Sequence, residues 1–147
     1  MLRFSFAIGA ALLLVMSGCD TPPGAPEVDP TPPRVENLQY APQEVLVSDP
    51  DAETVEVELA ILADALPGDS PIERVSFSLL ASGTTIGAVG ELPGLPDDDR
   101  YGINALIELP ADFDQYTVRV FATATDSLQS NVALGQFRIV PDTTTAS

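Results

Sequence analysis

One cysteine, no histidine, no tryptophan and no lysine occur in the 147 residues. Each absence closes off a chemistry. Without histidine, no Ser-His-Asp or Cys-His arrangement can be assembled. Zinc loses both of its favoured ligand types, since the lone Cys19 cannot build a tetrahedral set. One cysteine also makes no intrachain disulfide, so any packed domain here rests on burial alone. The lack of lysine leaves six arginines against 22 acidic residues and a net charge of −16. That balance argues against nucleic acid and against electrostatic adhesion to anionic lipid. Two origins fit it: a salt-rich habitat where self-repulsion is screened, or a genome whose codons favour arginine.

Long apolar runs are scarce as well. Phe4 to Met16 is almost wholly apolar, but at about 13 residues it falls short of the roughly 20 that span a bilayer as a helix. It follows a single positive charge, Arg3, and ends on the small residues Ser17 and Gly18. That is the layout of a secretory signal, so residues 1–18 are set apart from the fold. Their loss would leave 129 residues, enough for one domain with a real core, and would take the net charge from −16 to −17.

Met16-Ser17-Gly18-Cys19 resembles the lipobox of bacterial lipoprotein precursors, with Met16 in place of the commoner leucine. The resemblance implies that Cys19 is lipidated and becomes the mature N-terminus, its thiol taking the diacylglycerol. The alternative is an ordinary cleaved signal that leaves a free thiol. Each buried methylene contributes about 0.8 kcal/mol and one acyl chain holds only marginally, so the two or three chains of that family would anchor the protein permanently. The membrane is then the first expected partner, reached through Cys19. Asp20 resembles the inner-membrane retention signal of enteric bacteria, a rule confined to them, so inner and outer membrane both stand.

Asp20 to Pro33 contains six prolines and cannot form helix or sheet. In an extended polyproline conformation, at ~3.1 Å per residue, it would hold a domain about 40 Å off the membrane. Residues 19–33 therefore read as the lipidated cysteine and its tether, and residues 141–147 as a frayed tail.

Between them the hydrophobic period is two. Val55, Val57, Leu59 and Ile61 alternate with Glu56, Glu58 and Ala60; Val75, Phe77 and Leu79 with Ser76 and Ser78; Ile103, Ala105, Ile107 and Leu109 with Asn104, Leu106 and Glu108. Tyr116, Val118, Val120 and Ala122 alternate with Thr117, Arg119, Phe121 and Thr123, and Phe137 and Ile139 flank Arg138. Each set puts one apolar row on a core and one row in solvent. Proline-, glycine- and aspartate-rich turns separate them. With Leu38 to Val47 and Thr84 to Leu92, the pattern predicts about seven antiparallel strands in an all-β sandwich over residues 35–140.

Val55 to Ile61, Ile72 to Leu80 and Tyr116 to Ala122 look like strands B, C and F of bacterial immunoglobulin-like and fibronectin type III-like domains. Asp114-Gln115-Tyr116 resembles their tyrosine corner, and Asp98-Asp99-Arg100-Tyr101 the acidic turn before strand E. The family's core tryptophan and disulfide are missing. The resemblance implies an immunoglobulin-like β-sandwich that spaces or binds rather than catalyses.

Three chemistries are open to these side chains. Asp49, Asp51 and Glu53, with Asp112 and Asp114, would lie on loops at one pole, where a hard cation such as calcium wants clustered oxygens, although no ordered calcium-loop spacing is present. Asp97, Asp98 and Asp99, or Asp64 with Asp69, offer carboxylates for a small hydrolase, but glycoside chemistry needs a cleft between two of them. No cofactor is expected. The third reading is a partner face. If strands C, F and G share a sheet, their outward rows carry Arg74, Arg119, Phe121 and Arg138, while strands B and E show Glu56, Glu58 and Glu108. A hairpin symmetric about Leu128-Gln129 would set Arg119 opposite Arg138, a like-charge pair for an anionic partner to bridge. Glu73 or Gln136 would satisfy them otherwise. Arginine and exposed aromatics are enriched in interfaces. The function expected is a lipid-anchored, non-catalytic binding or scaffolding module of the cell envelope, its partner an envelope protein or an acidic polymer. The rivals are a calcium-stabilised adhesion module and a small envelope hydrolase.

Overall fold

The computed structural model describes residues 27–97 and 99–145. The signal segment, Cys19, the first part of the tether and Asp98 lie outside them. Eight strands follow one another: β1 (Arg34–Ala41), β2 (Glu44–Val47), β3 (Thr54–Leu66), β4 (Ile72–Ala81), β5 (Thr84–Glu91), β6 (Arg100–Pro110), β7 (Gln115–Ala124) and β8 (Ala133–Pro141). They form a three-stranded sheet, β1-β3-β6, and a five-stranded sheet, β2-β8-β7-β4-β5. All pairings are antiparallel except β2 with β8. The domain is an immunoglobulin-like β-sandwich. Among the described residues no helix is long and apolar enough to cross a membrane.

The period-two rows become the two inner faces. From β3 come Val57, Leu59, Ile61, Ala63 and Ala65; from β4, Val75, Phe77 and Leu79; from β7, Tyr116, Val118, Val120 and Ala122; all are buried. Fully burying a valine, leucine, isoleucine or phenylalanine stabilises by about 1.5–3 kcal/mol. Rows of this kind hold the two sheets together with no disulfide.

The expected strand over Leu38–Val47 is in fact two strands in different sheets. Pro42, which has no N–H to donate, ends the antiparallel ladder of β1 on β3 at Ala41 opposite Ala60. The chain then crosses, and Glu44 to Val47 pair in parallel with Arg138 to Pro141. Tyr40 spans the gap left at the crossing. Its hydroxyl donates to the Gln136 carbonyl at 2.8 Å and accepts from the Gln136 N–H at 2.9 Å.

The end of the tether is part of the domain. Pro33 is buried. The Thr31 N–H donates to Asp69 Oδ2 at 2.8 Å, and the Asp69 N–H donates to the Thr31 carbonyl at 3.1 Å. Just beyond, Asn131 accepts from the Val35 N–H at 2.9 Å and donates to the Val35 carbonyl at 2.8 Å. Gly68 permits this docking, because a Cβ there would lie 1.9 Å from the Thr31 carbonyl oxygen. Gly68→Ala is therefore expected to release the Thr31 clamp, worth about 1–2 kcal/mol for two exposed hydrogen bonds. Amide exchange at Thr31 and Asp69 should then accelerate by roughly tenfold while the core strands keep their protection. Unchanged exchange at both amides would show that the clamp holds nothing.

At the other end β8 runs to Pro141. The Asp142 N–H donates to the Val47 carbonyl at 2.9 Å, and a short 3-10 turn, Thr143–Thr145, follows. The start of the tail is thus held by β2.

Candidate interaction face

The outer surface of the five-stranded sheet carries the arginines. Alternation along β7 turns Val118 and Val120 inward and leaves Thr117, Arg119 and Phe121 outward. Register then places Val89, Ser78, Arg119 and Leu134 in one cross-strand row over four strands, with Glu91, Ser76 and Phe121 in the next. Val89 and Leu134 are large apolar side chains left about two-thirds exposed, at 63% and 64%.

The arginines differ in what holds them. Arg74 lies 3.9 Å from Glu73 and Arg138 lies 3.6 Å from Glu44, both as exposed ion pairs worth no more than about 1 kcal/mol. Among the described residues, Arg119 is the arginine with no carboxylate partner. Its guanidinium carbon sits 5.2 Å from the centre of the Phe121 ring. Such a cation–π contact contributes about 0.5–1 kcal/mol at an exposed site. It orients the charge without neutralising it.

The hydroxyls of Ser78 and Thr123 lie beneath this surface. Both residues are more than nine-tenths buried, and neither side-chain oxygen has a hydrogen-bond partner. Ser78 is directly opposite Arg119, and Thr123 directly opposite Arg74. A buried, unpaired hydroxyl costs about 1–3 kcal/mol, so the sheet carries two unmet polar groups in the same rows as its cations.

β4, β7 and β8 do share one sheet, and Arg74, Arg119, Phe121 and Arg138 do share its outer surface. The expected facing of Arg119 and Arg138 is wrong. Arg119 faces Leu134, and Arg138 faces Gln115, about 13 Å further along β7 at roughly 3.3 Å per residue. The cause is the turn. Ser127 adopts φ +70°, its N–H donates to the Ala124 carbonyl at 2.9 Å, and the Leu128 N–H donates to Asp126 Oδ1 at 3.1 Å. The hairpin therefore folds at Asp126-Ser127 rather than at Leu128-Gln129, and no like-charge arginine pair arises. Such a pair does exist on the other sheet, where Glu56 is directly opposite Glu108. The alternative partners divide: Glu73 does meet Arg74, whereas Arg138 takes Glu44 instead of Gln136. Glu44 could not be read from the sequence, because only the parallel pairing of β2 brings it there. Leu134 could have been, since it stands in register with Gln136 and Arg138 on the polar row.

The Ala111 N–H donates to the Glu53 carbonyl at 2.9 Å, so the loops of Asp49, Asp51 and Glu53 and of Asp112 and Asp114 do share a pole. Among the described residues, however, no three carboxylates gather in a group able to hold a metal. Asp64 accepts from Asn37 at 2.8 Å and lies 3.3 Å from Arg100. The Asn37 hydrogen bond, then Arg100, hold its carboxyl below the ordinary range despite opposing desolvation. Asp69 is taken up by the Thr31 clamp.

A shallow cavity of about 540 Å³ opens on the outer surface of the three-stranded sheet. Small side chains, Ala41, Ala60 and Gly102, lie among the larger Tyr40, Leu62 and Leu95 around it. Its remaining polar side chains are the amides Gln39 and Asn104. It holds no acid–base pair. Beside it, Leu106 is 65% exposed and is flanked across the strand by Glu58.

No protein-family model matches the chain, and no curated protein matches it. Among solved structures it is similar to the fibronectin(III)-like modules of Clostridium thermocellum CbhA, at 19% identity and a TM-score of 0.38, over 71% of this chain and 98% of that one. The sheet order described above, not that distant likeness, carries the fold.

Proposed function

We propose that this chain is a lipid-anchored protein of the bacterial cell envelope that presents a non-catalytic docking module. Cys19 carries the lipid, the proline-rich segment that follows it to Pro33 is the tether, and the outer surface of the five-stranded sheet receives a partner protein or an acidic polymer. One observation carries the docking reading. In a chain of net charge −16, Arg119 is held on Phe121 with no carboxylate among the described residues, between the exposed side chains of Val89 and Leu134. A fixed cation between apolar side chains is the composition of an interface centre rather than of a solvated rim.

Arg119 is expected to matter more than Arg74 or Arg138, whose charges are already met by Glu73 and Glu44. Replacing Arg119 and Leu134 together with serine should remove the partner cross-linked to the protein in its native envelope. Arg138→Ser alone should leave most of it. Retention of every cross-linked species by the double variant would overturn the docking reading. The anchoring reading has its own test: Cys19→Ser should move the protein from the membrane fraction to the soluble one, and an unchanged distribution would refute it.

A further inference from the structure

We infer that the partner of the Arg119 face is a second copy of this chain, seated by the opposite sheet, so that copies stack head to tail. The inference rests on the docking reading above and names its occupant. The two outer surfaces of the sandwich complement each other. On the five-stranded sheet, Arg119 and the exposed Leu134 are direct cross-strand neighbours, about 5 Å apart at their Cβ atoms. On the three-stranded sheet, the row of Glu58 and Leu106 is followed directly by the row of Ala60 and Asn104, which lines the 540 Å³ cavity. A protruding leucine beside a cation with no carboxylate partner among the described residues thus matches an apolar hollow beside a carboxylate.

The acidic surface also has an unmet need. Glu56 and Glu108 stand directly opposite each other, a like-charge pair that destabilises a sheet unless a cation lies between them. Among the described residues, the Thr54 hydroxyl donates to Glu108 Oε1 at 2.8 Å and no other side chain hydrogen-bonds to either carboxylate. A guanidinium arriving with Leu134 would reach Glu58 first and this pair next. Gly102 lets the flanking leucines close in at the edge of the hollow: a Cβ there would come within 2.9 Å of Leu62 Cδ1 and 3.4 Å of Leu95 Cδ1.

Because the two surfaces differ, the contact is heterologous and does not close on itself as a twofold dimer would. A stack is left with a free knob at one end and a free hollow at the other. Each copy carries a charge of −16, or −17 once residues 1–18 are removed, so long-range repulsion opposes the approach. At about 0.15 M salt the screening length is about 8 Å, which weakens that repulsion while leaving the contact pair largely intact. Tethering in one membrane would raise the effective concentration further.

Reciprocal charge reversal in the full-length protein, in detergent at that salt, tests the inference by sedimentation at rising concentration. The unaltered chain should form species that grow beyond a dimer. Arg119→Glu alone and Glu58→Arg alone should each weaken association by roughly tenfold or more, since each sets like charges face to face. An equimolar mixture of the two variants should recover it, because each then offers the other an opposite charge. Both positions are on outer surfaces, so folding is not at issue. Leu134→Ser should weaken association without being rescued by either partner. A chain that stays monomeric, or single variants that associate as the original does, would overturn the inference. If the chain stays monomeric while Arg119→Ser still loses a cross-linked envelope partner, self-stacking falls and the docking face survives. If nothing changes in either experiment, both fall.

Discussion

Tyr116→Ala is expected to cost the domain about 3–5 kcal/mol, the range for deleting a buried aromatic from a core that cannot fully collapse. Tyr116 is fully buried. Its ring stacks on Phe137 with centroids 5.4 Å apart and meets Phe113 edge-on at 6.0 Å. Its hydroxyl donates to the Pro110 carbonyl, closing the turn between β6 and β7. In a domain with no disulfide and no tryptophan, this cluster holds the largest fully buried side chains. Chemical denaturation should report the loss as a fall in midpoint with little change in slope. Tyr116→Phe keeps the ring and removes only the hydrogen bond, so about 1 kcal/mol should be lost. Burial, with the charge of Asp112 adding to it, pushes the Tyr116 phenol above its ordinary value near 10. The folded chain therefore holds the neutral phenol while the unfolded chain ionises. This contribution is fully present below about pH 10 and is lost as the pH rises through the raised folded value. Tyr116→Phe should flatten that alkaline loss. If Tyr116→Ala unfolds at the original midpoint, the aromatic cluster is not what joins the sheets at this end.

Gly135→Ala should produce the second largest loss, about 2–3 kcal/mol. A Cβ at position 135 would stand 2.2 Å from Tyr40 Cε1. The ring has little freedom to give way, because its hydroxyl is bonded to both the N–H and the carbonyl of Gln136. Those are the backbone groups on the side of β8 that β2 covers only from Arg138 onward. Moving Tyr40 would thus combine overpacking with two lost hydrogen bonds at the point where the chain changes sheets. Tyr40→Leu should cost less by itself, and in the double variant the two losses should be clearly less than additive, since the clash is then gone. Strict additivity would mean that Gly135 is not there to admit Tyr40.

The strength of these two expectations comes from different depths of reading. Tyr116 was legible in the sequence. Its position two residues after Asp114 and at the head of Val118, Val120 and Ala122 marks both the corner and the buried row, and the hydroxyl does bond the backbone at that turn. The contact of Tyr40 with Gly135 was not legible, because it joins residues 95 positions apart across a change of sheet. The same holds for the clamp of Thr31 on Asp69 and the pairing of Glu44 with Arg138. The error over Arg119 and Arg138 has this origin too. A sequence shows that two strands are joined by a turn, but the residue at which the turn folds depends on one left-handed residue, Ser127, and one aspartate side chain. Moving the turn by two residues shifts the register by four, which preserves which face each residue occupies while changing every neighbour across the strands.

By itself, then, the amino-acid sequence determined which residues turn inward, that the domain is all β, and that no histidine is present to act as a base or a ligand. Those properties are local or compositional: side chains alternate along any extended strand, and an absent residue type is absent in every fold. Only the tertiary structure decided that β1 and β2 belong to different sheets, that Arg119 meets Leu134 and Phe121 instead of Arg138, and that a hollow opens beside Glu58. Each of these depends on register between distant segments, and register is set by turn geometry and packing that no single stretch of chain contains.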